Sequence, residues 1–467
     1  MQIQSMHFKA RAGEKLADKR LQQNLKKLST KFVVGRASAI TELDDFEGTR
    51  DAAIERRMRA IENLDVWLEV FEKEAARRGA TVLFAESAED ASRLVVEIAQ
   101  KHGVKKAIKS KSMVSEEMAL NKALEAAGVQ PVETDLGEYI LQINDNEAPS
   151  HIIAPVVHKD KEEISDLFAR VHNKPRLTDI PEMTREAREM LRPHFLSADM
   201  GITGGNFIIA ESGSVAVVTN EGNEGMCTVM PPKVHVVVTG IEKVLPTLED
   251  FATVMRLLPR SATGQSISNY VSLLTGPRGA GDVDGPEHMY FVLVDGGRTG
   301  LVGTEFQEML RCIRCGACMN HCPVYQKIGG HSYGWVYPGP MGSVLTPSYA
   351  GIDKAIDLPQ ASTLCGECHV VCPVKIPLPD LLRKLREKQV AQHLRPGMER
   401  IGLTVWAFFA KRPRLYRLAT KVGVRVLRML GNGKTISKLP VGAGWTDYRE
   451  MPAPSGKTFR ELYRERR

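Results

Sequence analysis

The sequence has no apolar run approaching the ~20 residues that a membrane-spanning helix needs; its richest stretch, Leu403 to Ala410, is a short run between Arg400 and Lys411. Residues 1–20 are polar and charged throughout, with nothing long enough for a signal h-region, so export is not expected and a cytoplasmic location is. No G-x-G-x-x-G run is present, which argues against a nicotinamide or flavin site. Aromatic residues make up only 6% of the chain, too few in the basic segments for a base-stacking platform, so nucleic acid is not an expected partner. Cysteine is nearly absent outside one region: of eight, seven fall between residues 312 and 372 and only Cys227 stands apart. Two tight groups in a reducing compartment mean metal ligation and not a disulfide framework.

What is present is an ordinary globular composition, 43% hydrophobic and 25% charged over 467 residues, enough for two or three domains. The net charge of +7 conceals an asymmetry, because from Leu381 onward there are 21 Lys and Arg against 6 Asp and Glu, leaving the rest of the chain at −8. Residues 1–80 read as a solvated helical arm, with Asp51 to Arg78 the clearest helical pattern and no chemistry of its own. Residues 81–300 alternate short β-rich runs with helices, which predicts an α/β domain with a largely parallel sheet. The expected strands are 81–85, 107–108, 152–157, 207–210, 215–219, 234–239, 271–274 and 290–294, with helices at 89–101 and 115–127. Residues 301–390 hold both cysteine groups, flanked by helical stretches and separated by a Gly/Pro/Tyr-rich insert, 329–349, that reads as a loop. Residues 391–467 form a basic helical C-terminal region. Its Trp406 to Phe409 run beside Lys411, Arg412 and Arg414 suits docking to a partner subunit, or peripheral contact with the inner face of an anionic membrane.

The first group, Cys312, Cys315, Cys318 and Cys322-Pro323, has the C-x2-C-x2-C-x3-C-P spacing of bacterial ferredoxins. Two-residue gaps let three thiolates converge on one cubane face, and the cysteine before proline is directed to a neighbouring cluster. Structural zinc is the alternative, but such sites pair two C-x2-C knuckles and lack the C-P ending. The second group, Cys365, Cys368 and Cys372-Pro373, aligns with the last three cysteines of the first, and its opening position falls on Ser362. If the ligands cross over as in two-cluster ferredoxins, Cys312, Cys315, Cys318 and Cys372 hold one 4Fe-4S cluster, and Cys322, Cys365 and Cys368 hold the other. That second cluster is then either 3Fe-4S or a 4Fe-4S whose fourth iron takes Ser362, His369, water or a partner's residue. Cys227 could in principle supply the missing thiolate, but a buried free cysteine is the preferred reading. The flanking helices and the 43-residue interval between Cys322 and Cys365 predict an all-helical two-cluster module.

Two further places invite a ligand. Lys109, Ser110, Lys111 and Ser112 lie between a strand and a helix, with Ser115 followed by acids in the first helical turn. With Glu133 and Asp135 they make either an anion or ligand pocket or an ordinary capped helix. Gly201-Ile-Thr-Gly-Gly-Asn206 precedes a strand and Ala210 to Ser214 forms a tight turn to the next, with glycines that allow close backbone approach, consistent with a ligand crevice at strand ends.

These motifs together resemble the lactate utilization protein B family, in which an LUD domain of CoA-transferase-like α/β fold is joined to a two-cluster ferredoxin-type module. The resemblance is carried by Lys109 to Met113, Glu133 to Glu138, Gly201 to Gly205, both cysteine motifs, and Trp445 to Arg460. It implies two 4Fe-4S clusters on the same seven cysteines and an iron-sulfur subunit, non-catalytic or partly catalytic, of an oxidoreductase system converting L-lactate to pyruvate. It also implies two partners, a second cysteine-rich redox subunit and a second LUD-domain subunit. Glu211 falls in a turn similar to that of the acylating glutamate of CoA-transferases. The other functions considered are a redox-responsive ligand-binding or regulatory protein, the iron-sulfur subunit of an oxidase for another 2-hydroxy acid, and a free-standing enzyme acting at the LUD pocket.

Overall fold

Unbroken β-branched runs such as Val234-His-Val-Val-Val belong in a sheet covered on both faces, and here they build its centre. The computed structural model describes residues 3–440, 443–447 and 449–466; Met1 and Gln2 of the arm, and Val441, Gly442, Tyr448 and Arg467 of the C-terminal region, lie outside the described residues. Ten strands occur in the first 300 residues: β1 (Thr81–Ala85), β2 (Lys106–Lys109), β3 (Gln130–Glu133), β4 (Met200–Gly204), β5 (Phe207–Ile209), β6 (Ser214–Thr219), β7 (Val234–Gly240), β8 (Val244–Leu245), β9 (Tyr270–Leu274) and β10 (His288–Val294). Six of them form a parallel sheet in the order β1-β10-β7-β4-β2-β3, and four form a smaller mixed sheet in the order β8-β5-β6-β9. The period of two along β10 serves both faces. Tyr290, Val292 and Val294 pack into one apolar layer with helix Ala88–Lys101, while Met289, Phe291 and Leu293 pack into the other with helix Leu64–Arg77.

Several local expectations give way. The glycine-rich 201–206 stretch precedes strand β5 as expected, but most of it is itself strand β4 of the main sheet. Gly201 is there because helix Asn223–Val229 passes so close that a Cβ would stand 1.8 Å from the Cys227 carbonyl oxygen. Residues 152–157 form no strand: the Ser150 amide bonds to the Pro155 carbonyl, and His151 Nδ1 accepts from the Ile153 and Ala154 amides, so this segment folds on itself. The helix expected over 115–127 is two helices, Met113–Glu117 and Leu120–Ala126, broken where Ala119 takes φ 53°. Its N-cap is Ser112, whose Oγ accepts from the Ser115 amide. The 329–349 insert is core and not a loop. It contains a helix, Gly339–Ala350, and buries Trp335, Tyr337, Met341, Val344 and Leu345, so its glycines and prolines shape a packed apolar segment.

The first eighty residues are more than a solvated arm. Helices α1 (Phe8–Ala17), α2 (Lys19–Thr41), α3 (Phe46–Glu62) and α4 (Leu64–Arg77) carry three buried arginines, Arg36, Arg50 and Arg57, whose donors go to main-chain carbonyls far along the chain. Residues 1–389 form one compact unit, and residues 390–467 form a second. The second unit contains helices Gly397–Ala410, Pro413–Leu430 and Phe459–Glu465, and a short antiparallel pairing of Thr435–Ile436 with Met451–Pro452. Within it Arg428 Nη1 donates to the Ser455 carbonyl at 2.7 Å and Lys421 pairs with Glu461 at 3.2 Å. Among the described residues, no helix is long and apolar enough to cross a membrane.

Candidate functional site

The two cysteine motifs share a backbone path. In each, the residue before the second ligand position and the glycine after it take left-handed φ: Arg314 (59°) and Gly316 (75°) around Cys315, Leu364 (55°) and Gly366 (90°) around Cys365. Each then enters one turn of helix, Ala317–Asn320 or Glu367–Val370, and reaches its C-P step. There Cys322 Sγ accepts from the Tyr325 amide at 3.5 Å, and Cys372 Sγ from the Ile376 amide at 3.4 Å. Ser362 stands where the first motif has Cys312, its Oγ accepting from the Leu364 amide at 3.1 Å. His369 Nδ1 is bonded to the Ile376 carbonyl at 3.0 Å.

The fold brings Cys312, Cys315, Cys318 and Cys372 around one small cavity, walled by Met309, Ile313, Met341, Val374, Ile376 and Leu378. Within each group the thiols sense one another, Cys315 and Cys372 sensing Cys312 and Cys368 sensing Cys322 and Cys365, and the two groups lie near enough that Cys318 senses Cys368 and Cys368 senses Cys372. Burial first, and neighbouring thiolates second, push Cys315 and Cys368 up to about 12. All-sulfur donors in a dry chamber suit iron-sulfur chemistry, since soft thiolates bind there as anions and a cationic cluster core relieves their mutual repulsion. Cys227 is elsewhere, fully buried beneath the sheet with Sγ 3.3 Å from Thr134 Oγ1.

Arginines from the N-terminal helices hold this module. Arg36 donates to the Val371 carbonyl at 2.9 Å, Arg50 to Cys372 at 2.6 Å and Val370 at 3.1 Å, and Arg57 to Val244 and Leu310 at 2.8 Å each. Nothing in helical periodicity marks these arginines, because their partners are main-chain atoms up to 335 residues away.

A cleft of about 400 Å³ opens beside the cysteine chamber. It lies at the carboxyl ends of β2, β4 and β7, where the strand order reverses between β2 and β4, the usual ligand crevice of open parallel sheets. The six residues expected to form one pocket are divided between two places. Ser110, Lys111, Ser112 and Asp135 line this cleft, whereas Glu133 lines a separate cavity of about 500 Å³ with Glu116 and Glu138. Lys109 is no anion receptor. It is buried against Glu133 at 2.7 Å and Glu116 at 3.2 Å, and this pairing raises its pKa despite the desolvation. Lys111 faces Asp135 at 3.6 Å and the Ile153 carbonyl at 3.1 Å. Glu211 is engaged as a cap, Oε1 accepting from the Leu248 amide at 2.6 Å.

Where the cleft meets the cysteine module stands a charge network that sequence reasoning missed. Arg298, fully buried, bonds Glu117 at 2.9 Å and Glu242 at 2.7 Å; Glu242 also takes Arg314 at 3.2 Å, and Tyr337 donates its hydroxyl to Glu117 at 2.7 Å. Against desolvation, Arg298, Arg314 and Lys243 hold the Glu242 carboxyl down at about 2. Burial, then Arg314, pushes the adjacent Lys243 down to about 7. The available signal was the pair Glu242-Lys243 directly after a fully buried strand.

Comparison with known proteins covers the whole chain. The LUD domain model matches residues 68–294, the 4Fe-4S dicluster domain model residues 308–376, and the model described as lactate utilisation protein B, C-terminal, residues 381–467. The chain is 45% identical to lactate utilization protein B of Geobacillus kaustophilus over 100% of this chain and 98% of that protein. It is 42% identical to that of Bacillus licheniformis over the same shares, and 45% identical to that of Anoxybacillus flavithermus over 92% of each. A crystal structure of a DUF162 family protein from Deinococcus radiodurans aligns with 50% of this chain and 98% of its own, at 13% identity and a TM-score of 0.27.

Proposed function

This chain belongs to the lactate utilization protein B family, and on that premise we propose that it is the iron-sulfur electron-transfer subunit of a bacterial system oxidising L-lactate to pyruvate. The observation that carries the reading is the chamber in which Cys372, from the second motif, joins Cys312, Cys315 and Cys318 from the first. On this reading those four would hold one 4Fe-4S cluster, and Cys322, Cys365 and Cys368 would hold the second, with Ser362, His369, water or a partner's residue completing it. When bound, the clusters supply two one-electron sites close enough for tunnelling. The residues between them are what this chain contributes: the exchange of Cys322 and Cys372 makes the motifs one folding unit, and the surrounding apolar side chains exclude water.

The exposed Cys365 beside Leu364 and Val370 suits transfer to a second cysteine-rich redox subunit, and a second LUD-domain subunit completes the system. The basic C-terminal unit, with Trp406, Phe408 and Leu418 exposed, serves docking to these partners or peripheral contact with the inner face of the membrane, and the whole acts in the cytoplasm. The test is anaerobic co-purification with the partner subunits, followed by EPR on adding L-lactate. Lactate-dependent reduction of the clusters is expected; a lone chain whose clusters ignore lactate in the presence of the partners overturns the assignment.

A further inference from the structure

The cleft beside the cysteine module ends on two cations whose donors are not all taken up. Lys243 is 6% exposed and lines the cleft, yet its ammonium has no hydrogen bond or ion pair among the described residues. Arg314 spends one arm on Glu242 and lies 4.9 Å from the Tyr337 ring centroid, while its Nη1 is buried with no hydrogen-bond partner. Asn223 on the same wall leaves its Oδ1 unpartnered, its amide nitrogen being held by Thr134. Glu242, the nearest acid, is already shared between Arg298 and Arg314. Buried donors without partners are costly, so two cations with unused donors on one solvent-connected cleft suit an acceptor that enters from solvent. The location agrees, since ligands of open parallel sheets enter at the strand-order reversal.

We propose that this cleft binds a small organic carboxylate, its two oxygens taken by the Lys243 ammonium and the Nη1 arm of Arg314. The acids on the cleft wall, Asp135, Glu221 and Glu224, oppose a second negative charge and so select a monoanion over phosphate. Apolar side chains such as Phe32 and Ile153 accommodate a short carbon skeleton. Because Arg314 sits between Cys312 and Cys315, ligand charge placed on its guanidinium is felt in the adjoining cysteine chamber. This inference rests on the electron-transfer reading only for its choice of probes and for the cluster signal.

The test uses the full chain, anaerobically loaded, with iron and acid-labile sulfide quantified, titrated by calorimetry with L-lactate, pyruvate and inorganic phosphate while EPR follows the clusters. Saturable binding of lactate or pyruvate is expected, with a change in the EPR line shape and little competition from equimolar phosphate. Lys243→Gln should weaken that binding at least tenfold, and Arg314→Lys, which keeps the charge but loses the second arm, should do likewise, with iron content and melting temperature measured for each so that loss of fold is told apart from loss of binding. Absence of saturable binding by both carboxylates, tighter binding of phosphate, or undiminished binding by both variants overturns the proposal. A chain that takes up no iron faults the cluster assignment instead, and calorimetry with the carboxylates then still decides the cleft.

Discussion

The Arg50 guanidinium, on the third N-terminal helix, donates to the main-chain carbonyl of Cys372 at 2.6 Å and to that of Val370 at 3.1 Å. A helix near the start of the chain thereby fixes the turn that carries the last cysteine. Arg50→Met leaves the buried Cys372 carbonyl without this donor, at about 1–3 kcal/mol, and removes the part-buried bond to Val370 as well. We expect reduced iron per chain and a lower urea midpoint. Arg50→Lys should recover only part of this, because an ammonium cannot reproduce the fork.

Arg57 makes a stronger case for the same helix. It is fully buried and donates to the carbonyls of Glu242, Val244 and Leu310, joining the end of the parallel sheet to the approach of the first cysteine motif. Arg57→Met should destabilise the chain by about 3 kcal/mol or more, read as the shift in denaturant unfolding, with iron lost in parallel.

Cys227 belongs to the packing beneath the sheet. Burial pushes its thiol up to about 12, and Gly201 presses against its carbonyl. Cys227→Ala is expected to keep full iron and sulfide content, and native protein should resist alkylation at this position at pH 8. Loss of a cluster signal in Cys227→Ala would show that the thiol serves as a ligand after all.

Ser362 occupies the place in the second motif that Cys312 holds in the first, on a matching pair of left-handed residues. Ser362→Cys should therefore raise the iron content of a three-iron cluster by one and remove its oxidised-state EPR signal. If the second cluster already holds four irons, the substitution should shift its reduced-state spectrum. An unaltered spectrum and iron count would place Ser362 away from the open iron.

Stability should fall in mild acid. Burial pushes His235, the second residue of β7, down to about 3, and His151 and His331 down to about 4. A histidine whose folded pKa lies below its unfolded value of about 6.5 binds fewer protons when folded, so its contribution is complete above that value and lost as the pH drops toward the folded pKa. Each adds a slope of about 1.4 kcal/mol per pH unit within this window. His235→Gln should remove one such slope between pH 6.5 and 4.5, measured as unfolding free energy against pH at equal iron content.

Much of the architecture is legible in local pattern. The buried runs at 234–239 and 290–294 are strands because continuous β-branched and aromatic stretches suit a sheet covered on both faces, and both appear there. The run at 152–157 has similar composition but folds on itself around His151 and Pro155, and β4 is hidden by glycines whose reason is tertiary, Gly201 lying against the Cys227 carbonyl and Gly204 against Ser112. The insert at 329–349 reads as a loop by its glycines and prolines, yet tertiary burial of Trp335 and Tyr337 makes it core.

The same division runs through the site. Cysteine spacing is a local property, since two-residue gaps and a C-P ending constrain how thiols point, so the sequence by itself determined the family and marked the seven cysteines, with Ser362 at the eighth place, as the candidate ligands. Tertiary structure alone decided that Cys372 shares a chamber with Cys312, that Lys109 is neutralised while Lys243 is left without a hydrogen-bond partner among the described residues, and that Arg36, Arg50 and Arg57 reach main-chain carbonyls hundreds of residues away. The reason is physical: whether a charge is a binding group or a structural pin depends on what desolvates and pairs it, and those partners are brought together only by the fold.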